Sequence, residues 1–276
     1  MKLTMLVDNY TLIDAYYLGE PAVSYWIETE GKSYLFDAGY SDVFIKNAEK
    51  MEIDLSSMEA VILSHGHDDH TRGLAAFPEY YKKKNKRKQH LPRLIAHPEV
   101  FAKRRDGDLS IGCPVPLAEI EENFMPELSR KPVWLTKKLV FLGEIKRNNE
   151  FEAKAPIGEI ERAGSWQPDD VMDDSALVYC SDEGLVIITG CSHAGICNII
   201  SSAKEICQEE RICSVIGGFH LLHTSSWQME KTVAYLAKLE VKEIYAAHCT
   251  DLAAKIALAK ELPLQEAGVG RILSYC

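Results

Sequence analysis

The stretch Ser64-His65-Gly66-His67-Asp68-Asp69-His70 holds three histidines and two aspartates within its last six residues. Imidazole and carboxylate groups are the ligands that zinc, iron and manganese take in proteins. The alternative is a polar loop in which the histidines occur by chance. Buried histidines, however, normally occur singly and each needs its own partner. The cluster therefore predicts a metal site.

An apolar run, Val61-Ile62-Leu63, lies directly before this cluster and is rich in β-branched residues. Such a run is typical of a buried strand, so the cluster lies on the loop that leaves the strand's carboxyl end. In layered α/β folds ligands collect at this edge, because several loops converge there. On a tight loop His65 and His67 can face one point while Asp69 and His70 face a second. That arrangement suits two metal ions that share a water.

Three later apolar segments also end in a histidine. His193 follows Leu185–Thr189, His220 follows Ser214–Ile216, and His248 follows Glu243–Ala246. Each of these histidines alone would more often be structural. Together with the first cluster they predict that four strand ends bring histidines to one edge of the fold.

The pattern His-x-His-x-Asp-His after an apolar strand resembles the metallo-β-lactamase superfamily of metal-dependent hydrolases. The resemblance implies an α/β (α+β) fold, a four-layer αββα sandwich with its metal site at the strand ends. It implies one domain over residues 1–276. Phe101–Trp134 is the least regular segment and rich in proline and glycine. We therefore expect an irregular insertion at about 80–135 that covers the site.

The resemblance also assigns ligands. It implies that His65 and His67 bind one metal, that Asp69 and His70 bind the other, and that His248 is the late ligand. The chain departs from the family in the middle. Thr189-Gly190-Cys191 stands where an aspartate usually ends the strand, and Asp173-Asp174-Ser175 where a histidine is usual. We predict His193 as the missing ligand, with the Cys191 thiolate as a second candidate.

The implied cofactors are two divalent metal ions, zinc first, with iron or manganese as alternatives. Asp69 is a candidate catalytic residue that holds a metal and orients the attacking water. His220 is either a further ligand or a proton donor to the leaving group. Asp37-Ala38-Gly39 resembles an early turn of the family, in which the carboxylate orients a ligand. A plain turn with Asp37 as a helix cap is the alternative.

Three short sequence motifs resemble those of one branch of the superfamily. They are Thr189-Gly190-Cys191-Ser192-His193-Ala194-Gly195, Ile216-Gly217-Gly218-Phe219-His220-Leu221 and Ala247-His248-Cys249-Thr250. The branch is that of the 7,8-dihydropterin-6-methyl-4-(β-D-ribofuranosyl)-aminobenzene-5'-phosphate synthase-like proteins. The first functional hypothesis is a hydrolase acting on a small, anionic substrate through a metal-activated water. The alternatives are a synthase that joins a dihydropterin (pyro)phosphate to an aminobenzene ribotide, and a metal or ligand sensor without turnover.

The composition of the chain limits the classes of molecule that it is expected to bind. The 276 residues are 46% hydrophobic and 26% charged, with a net charge of −10 from 31 basic and 41 acidic residues. This balance disfavours a nucleic-acid binder. The basic run over residues 80–88 predicts a solvated loop, with phosphate or RNA contact as the alternative, and Arg104–Arg105 could neutralise substrate charge.

The eight cysteines form no CxxC pair, which argues against a disulfide framework or a zinc knuckle. No segment resembles a signal peptide or reaches the length of a membrane span. We therefore expect a cytoplasmic protein without a membrane partner.

Overall fold

Strands dominate the architecture. The computed structural model describes residues 1–84 and 91–276. The strands are β1 (Lys2–Val7), β2 (Ser24–Thr29), β3 (Lys32–Phe36), β4 (Ala60–Ile62), β5 (Arg93–Ala96), β6 (Arg104–Asp106), β7 (Leu109–Ser110), β8 (Met125–Leu128), β9 (Val133–Trp134), β10 (Leu139–Phe141), β11 (Glu159–Arg162), β12 (Ser165–Pro168), β13 (Ala176–Ser181), β14 (Gly184–Thr189), β15 (Ile212–Gly218), β16 (Glu243–Ala247) and β17 (Ile272–Ser274).

Helices connect the strands. They are α1 (Val43–Lys50), α2 (Asp68–Thr71), α3 (Phe77–Lys83), α4 (Leu117–Asn123), α5 (Ile196–Cys207), α6 (Ser226–Ala237) and α7 (Leu252–Glu261), with 3₁₀ turns at Leu55–Ser57 and Arg72–Ala76. No helix of the described residues combines the length and apolarity that crossing a membrane requires.

Two large sheets form the centre of the molecule. One has the strand order β17-β1-β2-β3-β4-β5-β8 and the other β16-β15-β14-β13-β10-β9. β3, β4, β5 and β8 run parallel, as do β14, β15 and β16. β1 runs in the same direction as β3, because both pair antiparallel with β2. A third, smaller sheet has the order β12-β11-β6-β7.

Buried apolar side chains divide the molecule into layers. Phe36 and Ile62 of the first sheet share a core with Phe141 and Ile188 of the second, so the two sheets pack face to face. A second core lies between the first sheet and α1, α3 and α4, and a third lies between the second sheet and α5, α6 and α7. Each sheet therefore buries both faces. The predicted four-layer αββα sandwich is confirmed.

No pattern of the sequence indicates the small sheet. Within residues 150–168, β11 and β12 form a hairpin. Ala163 and Gly164 form its turn with φ of 50° and 79°, as a two-residue hairpin loop of type I′ requires. All four residues of β12 are exposed, and in β11 Ile160 alone is buried, so the hairpin shows no alternating apolar pattern.

The segment at about 80–135 contains more regular structure than its composition indicates. It supplies β5 and β8 to the first sheet, β9 to the second, and β6 and β7 to the small sheet. The basic run begins inside α3, where Tyr80 and Tyr81 are buried, so a solvated loop was the wrong prediction for those two residues. Asn85–Lys88 of that run lie outside the described residues.

Candidate metal centre

The candidate ligands lie at the carboxyl ends of strands from both large sheets. The His65–His70 segment follows β4, Cys191 and His193 follow β14, His220 follows β15, and His248 follows β16. Their side chains are close together: the imidazole centroids of His65 and His193 lie 4.7 Å apart, and those of His70 and His248 lie 5.1 Å apart. All six predicted metal ligands and His220 thus meet at one edge of the sandwich.

Unusual backbone turns direct several of these side chains. Asp37, His220 and His248 have φ of 57°, 48° and 46°. This left-handed region is uncommon for residues other than glycine, although Asp and His enter it more readily than most. Each turn follows directly on a strand end. Such conformations persist where the surrounding structure fixes them, and they cluster at functional sites.

One group of ligand atoms belongs to His65, His67 and His193. His65 Nε2 lies 3.1 Å from His67 Nδ1 and 3.1 Å from His193 Nε2. All three side chains are buried. Three imidazole nitrogens pointed at one another in a buried space are the donor set of a tetrahedral zinc site that keeps a fourth position open.

A second group consists of Asp69, His70, Cys191 and His248. His70 Nε2 lies 3.2 Å from Cys191 Sγ and 3.6 Å from Asp69 Oδ2, and His248 Nε2 lies 3.2 Å from the same carboxylate oxygen. Cys191 also belongs to a third group with His193 and His220. The thiol therefore lies between the two predicted metal positions, where the family usually has an aspartate.

Three ring nitrogens on the far side of the ligands are held by oxygens of the protein. Asp37 Oδ2 lies 2.7 Å from His70 Nδ1, Ser64 Oγ lies 2.9 Å from His65 Nδ1, and Asn9 Oδ1 lies 3.0 Å from His248 Nδ1. A carboxylate or amide oxygen only accepts, so Nδ1 of His70 and His248 is the protonated nitrogen. In the neutral ring Nε2 then carries a lone pair toward the cluster, which is how metal-binding histidines are usually oriented.

Asp37 has the supporting role that its resemblance implied. Its side chain accepts hydrogen bonds from the backbone N–H and the hydroxyl of Ser64 at 2.7 Å each, besides contacting His70. It is not a helix cap, since α1 begins after Asp42. A single buried carboxylate thus fixes both ends of the Ser64–His70 loop.

The two groups differ in electrostatics. Burial, with His70 nearby, holds the pKa of His65 well below its usual value, and burial with His220 nearby does the same for His193. Burial also opposes charge on His70, yet Asp69 and Asp37 raise its pKa to about 9. The first group is therefore a set of neutral imidazoles, whereas in the second the Asp69 and Asp37 carboxylates favour positive charge.

The residues fit divalent metal ions. Two contacts of 3.1 Å in the first group bring three ring nitrogens to one point, as coordination of a shared cation requires. His67 Nε2 and His193 Nδ1 are buried without a hydrogen-bond partner in the described structure. Imidazole nitrogen, carboxylate oxygen and cysteine sulfur together form a donor set that suits zinc.

Two adjacent aspartates hold the ligand loops, at the place where the family usually has a histidine. Asp173 Oδ2 accepts a hydrogen bond of 2.8 Å from the Gly66 N–H, and Asp174 Oδ2 accepts one of 2.9 Å from the Ala194 N–H. Both carboxyl groups are buried. Burial, with Asp173 alongside, raises the pKa of Asp174 to about 7. The pair therefore supports the first and second ligand loops and does not join either group.

Arg104 lies beneath the first ligand loop, and its side chain is fully buried. Its Nε donates to Asp169 Oδ2 at 2.7 Å, and its Nη2 lies 2.7 Å from Asp173 Oδ1 in an ion pair without hydrogen-bond geometry. A Cβ added to Gly66 would meet Arg104 Nη1 at 2.1 Å. The expectation that Arg104 neutralises substrate was wrong, since its charge is already compensated in the core. Arg105 pairs with Glu159 and stacks on Trp166.

Asp8 and Asn9 support His248, a role that the sequence did not indicate. Asp8 Oδ1 accepts the His248 N–H at 2.8 Å, in addition to the contact from Asn9. Both residues follow β1 directly, as Asp37 follows β3. A polar residue directly after an apolar strand was the available signal.

We expect Asn9→Ala to weaken metal binding selectively at the group that contains His248. Loss of a hydrogen bond to a ligating histidine costs about 10–100-fold in metal affinity. Competition with a chromophoric chelator, resolved for the two ions, measures this. Asn9→Asp keeps an oxygen acceptor and should retain most of the affinity. Equal weakening of both ions in Asn9→Ala would contradict a specific role at His248.

A cavity of about 610 Å³ opens directly over both groups. His67, Asp69, Cys191, His193 and His248 line its floor. Its walls are largely apolar and come from distant parts of the chain; they include Pro21, Tyr40, Ile111, Ile157 and Leu222. In the described part of the chain no lysine or arginine lines this cavity, while Asp68 and Asp106 do. The cavity has the size of a small-molecule site.

Comparisons with known proteins agree with this geometry. The chain is 31% identical to the 7,8-dihydropterin-6-methyl-4-(beta-D-ribofuranosyl)-aminobenzene-5'-phosphate synthase of Methanocaldococcus jannaschii, over 100% of this chain and 97% of that protein. The predicted resemblance to that branch is confirmed. A crystal structure of a metal-dependent hydrolase of the beta-lactamase superfamily is 30% identical, with a TM-score of 0.85 over 99% of this chain and 98% of the other.

More distant structures share the fold alone. Human tRNase Z, short form, superposes with a TM-score of 0.57 at 13% identity, over 100% of both chains. The family model of the metallo-beta-lactamase superfamily matches residues 18–248, which include every candidate ligand. Members of this superfamily commonly bind divalent metals. The chain belongs to the metallo-beta-lactamase superfamily.

Proposed function

We propose that the protein is a metal-dependent hydrolase that attacks a small, anionic substrate with an activated water. The observation that carries this proposal is the pair of ligand groups on the floor of one open cavity, with Cys191 between them. We also propose that residues 1–276 form a single domain, with part of the 80–135 segment covering the site. In support, Asp106 and Ile111 line the cavity, and the Asp68 N–H donates to the Ile111 carbonyl.

In this proposal His65, His67 and His193 hold one ion, and Asp69, His70, Cys191 and His248 hold the other. When bound, such ions supply Lewis-acid chemistry, which lowers the pKa of a water and polarises a substrate oxygen. The Asp69 carboxylate, 29% exposed, accepts a hydrogen bond from the attacking water and orients it. His220 holds a proton at Nδ1, an atom without a partner in the described structure, and donates it to the leaving group.

A synthase is the second candidate, because the 31% identical relative carries that name over the full length of both chains. Such an enzyme would use the same residues to activate a dihydropterin (pyro)phosphate for displacement by an aminobenzene ribotide. The cavity walls favour neither candidate, since apolar side chains suit a pterin ring as well as other small organic groups.

One assay separates the two candidates. Zinc-loaded protein is incubated with phosphomonoesters, phosphodiesters and lactones, and separately with a dihydropterin pyrophosphate together with an aminobenzoate ribotide. The proposal predicts release of an acid or alcohol from a member of the first set without a second organic substrate. A condensed product that forms only when both pterin and ribotide are present would replace the hydrolase by the synthase.

A further inference from the structure

A second cavity of about 280 Å³ adjoins the metal cavity. We call it the side chamber; it lies between residues 152–157, the turn before α5 and the turn before α6. Ile157, His193, His220 and Leu222 line both cavities, so they form the boundary between them. A molecule whose reacting group lies at the ligand groups can therefore extend past His193 and His220 into the side chamber.

A buried donor lines the side chamber without a protein partner. His193 is 8% exposed, and its Nε2 lies 3.1 Å from His65 Nε2, within the first ligand group. Its Nδ1, on the other side of the ring, is buried and has no hydrogen-bond partner in the described structure. When Nε2 binds a metal, Nδ1 of the neutral imidazole carries a proton and needs an acceptor. His193 lines the side chamber, so an acceptor oxygen bound there can satisfy this nitrogen.

Charge distinguishes the side chamber from the metal cavity. Lys154 and His223 line it, as do Thr224 and Ser225 at the amino end of α6, where the helix dipole favours an anion. Glu152 is the one carboxylate lining it in the described chain. Its oxygens already accept the backbone N–H groups of Cys197 and Asn198 at 2.9 and 3.1 Å. The metal cavity, in contrast, is lined by three aspartates and by no lysine or arginine of the described chain.

We propose that the side chamber binds an oxyanion of phosphate type on the substrate, remote from the group that reacts at the metal cavity. This inference rests on the proposed function in one respect: the proposed function supplies the hydrolysable group that reacts at the metal cavity. It assigns the substrate to molecules with two parts: a hydrolysable group and a separate phosphate. The anion accepts from His193 Nδ1 and lies at the amino end of α6, where the Gln228 N–H already donates to Ser225 Oγ. Lys154, whose Nζ donates to the Asn149 carbonyl at 2.9 Å, supplies positive charge beside it.

Inorganic phosphate is the probe, titrated calorimetrically into zinc-loaded protein. We expect two binding events, one at the metal cavity and one at the side chamber. Lys154→Glu should weaken the second event about tenfold or more, because it reverses the nearest flexible positive charge. Lys154 is exposed, so the variant should fold normally. Lys231→Glu, the same charge change at an exposed position of α6 outside the chamber lining, is the matched control.

Ala155→Trp provides an independent test, because it places a bulky ring on the chamber lining without changing charge. It should abolish the second event and leave the first. If both events persist unchanged in Lys154→Glu and Ala155→Trp, or if only a single, insensitive event is seen up to about 10 mM phosphate, the side-chamber proposal is overturned. A protein that binds phosphate in the Lys154-dependent manner but hydrolyses nothing would refute the proposed function and leave the oxyanion site standing.

Discussion

His65→Ala is expected to release one of the two proposed metal ions and to reduce hydrolysis by at least about 1000-fold. His65 Nε2 is the nitrogen that lies 3.1 Å from both His67 Nδ1 and His193 Nε2, so its removal leaves two separated ligands. Loss of one Lewis acid removes several kcal/mol of transition-state stabilisation, and each 1.36 kcal/mol is a factor of ten in rate. Metal content by mass spectrometry and turnover on the best substrate of the screen measure the two effects.

His248→Ala is the complementary variant. It should release the other ion, because His248 belongs to the group with Asp69, His70 and Cys191. Asp69→Ala should behave like His248→Ala, and Lys231→Ala on the exposed side of α6 serves as the control. The division into two groups fails if His65→Ala, Asp69→Ala and His248→Ala all lose the same ion.

Arg104→Met should lower the free energy of unfolding by about 3–5 kcal/mol, the second large effect. Its side chain and those of Asp169 and Asp173 are fully buried, so removing the cation leaves two carboxylates uncompensated in the core. Breaking a buried pair from one side costs about this much. Urea unfolding monitored by tryptophan fluorescence measures it.

The neighbouring arginine provides the control for that measurement. Arg105 pairs with Glu159 at 2.8 Å, but both side chains are about two-fifths exposed, at 39% and 41%. Exposed pairs contribute about 0–1 kcal/mol, so Arg105→Met should change stability little. If Arg104→Met and Arg105→Met lowered the free energy of unfolding equally, the buried ion pairs of Arg104 would not be the source of the stability.

The sequence predicted the parts of the site that depend on local pattern. An apolar run followed at once by His65–His70 identifies both a buried strand and its ligand loop, since both features lie within about ten residues. The same pattern places His193, His220 and His248 after β14, β15 and β16. Since parallel strands end at the same edge of a sheet, their convergence followed from the fold that the resemblance implied.

The supporting contacts were not predictable in this way. Asn9 and His248 are separated by 239 positions in the chain, and Gly66 and Asp173 by 107. Periodicity reports which face of an element is buried, and it carries no information on which distant loops meet. Arg104 shows the same limit. Two adjacent basic residues in the sequence indicate a surface position, whereas Asp169 and Asp173 compensate the charge of Arg104 in the interior.

Metal content of the untagged protein, purified without added metal and measured by mass spectrometry, tests the central claim most directly. The account predicts about two zinc, iron or manganese ions per chain, one for each ligand group. Protein that contains no such metal, and takes up none on dialysis against zinc, would contradict it.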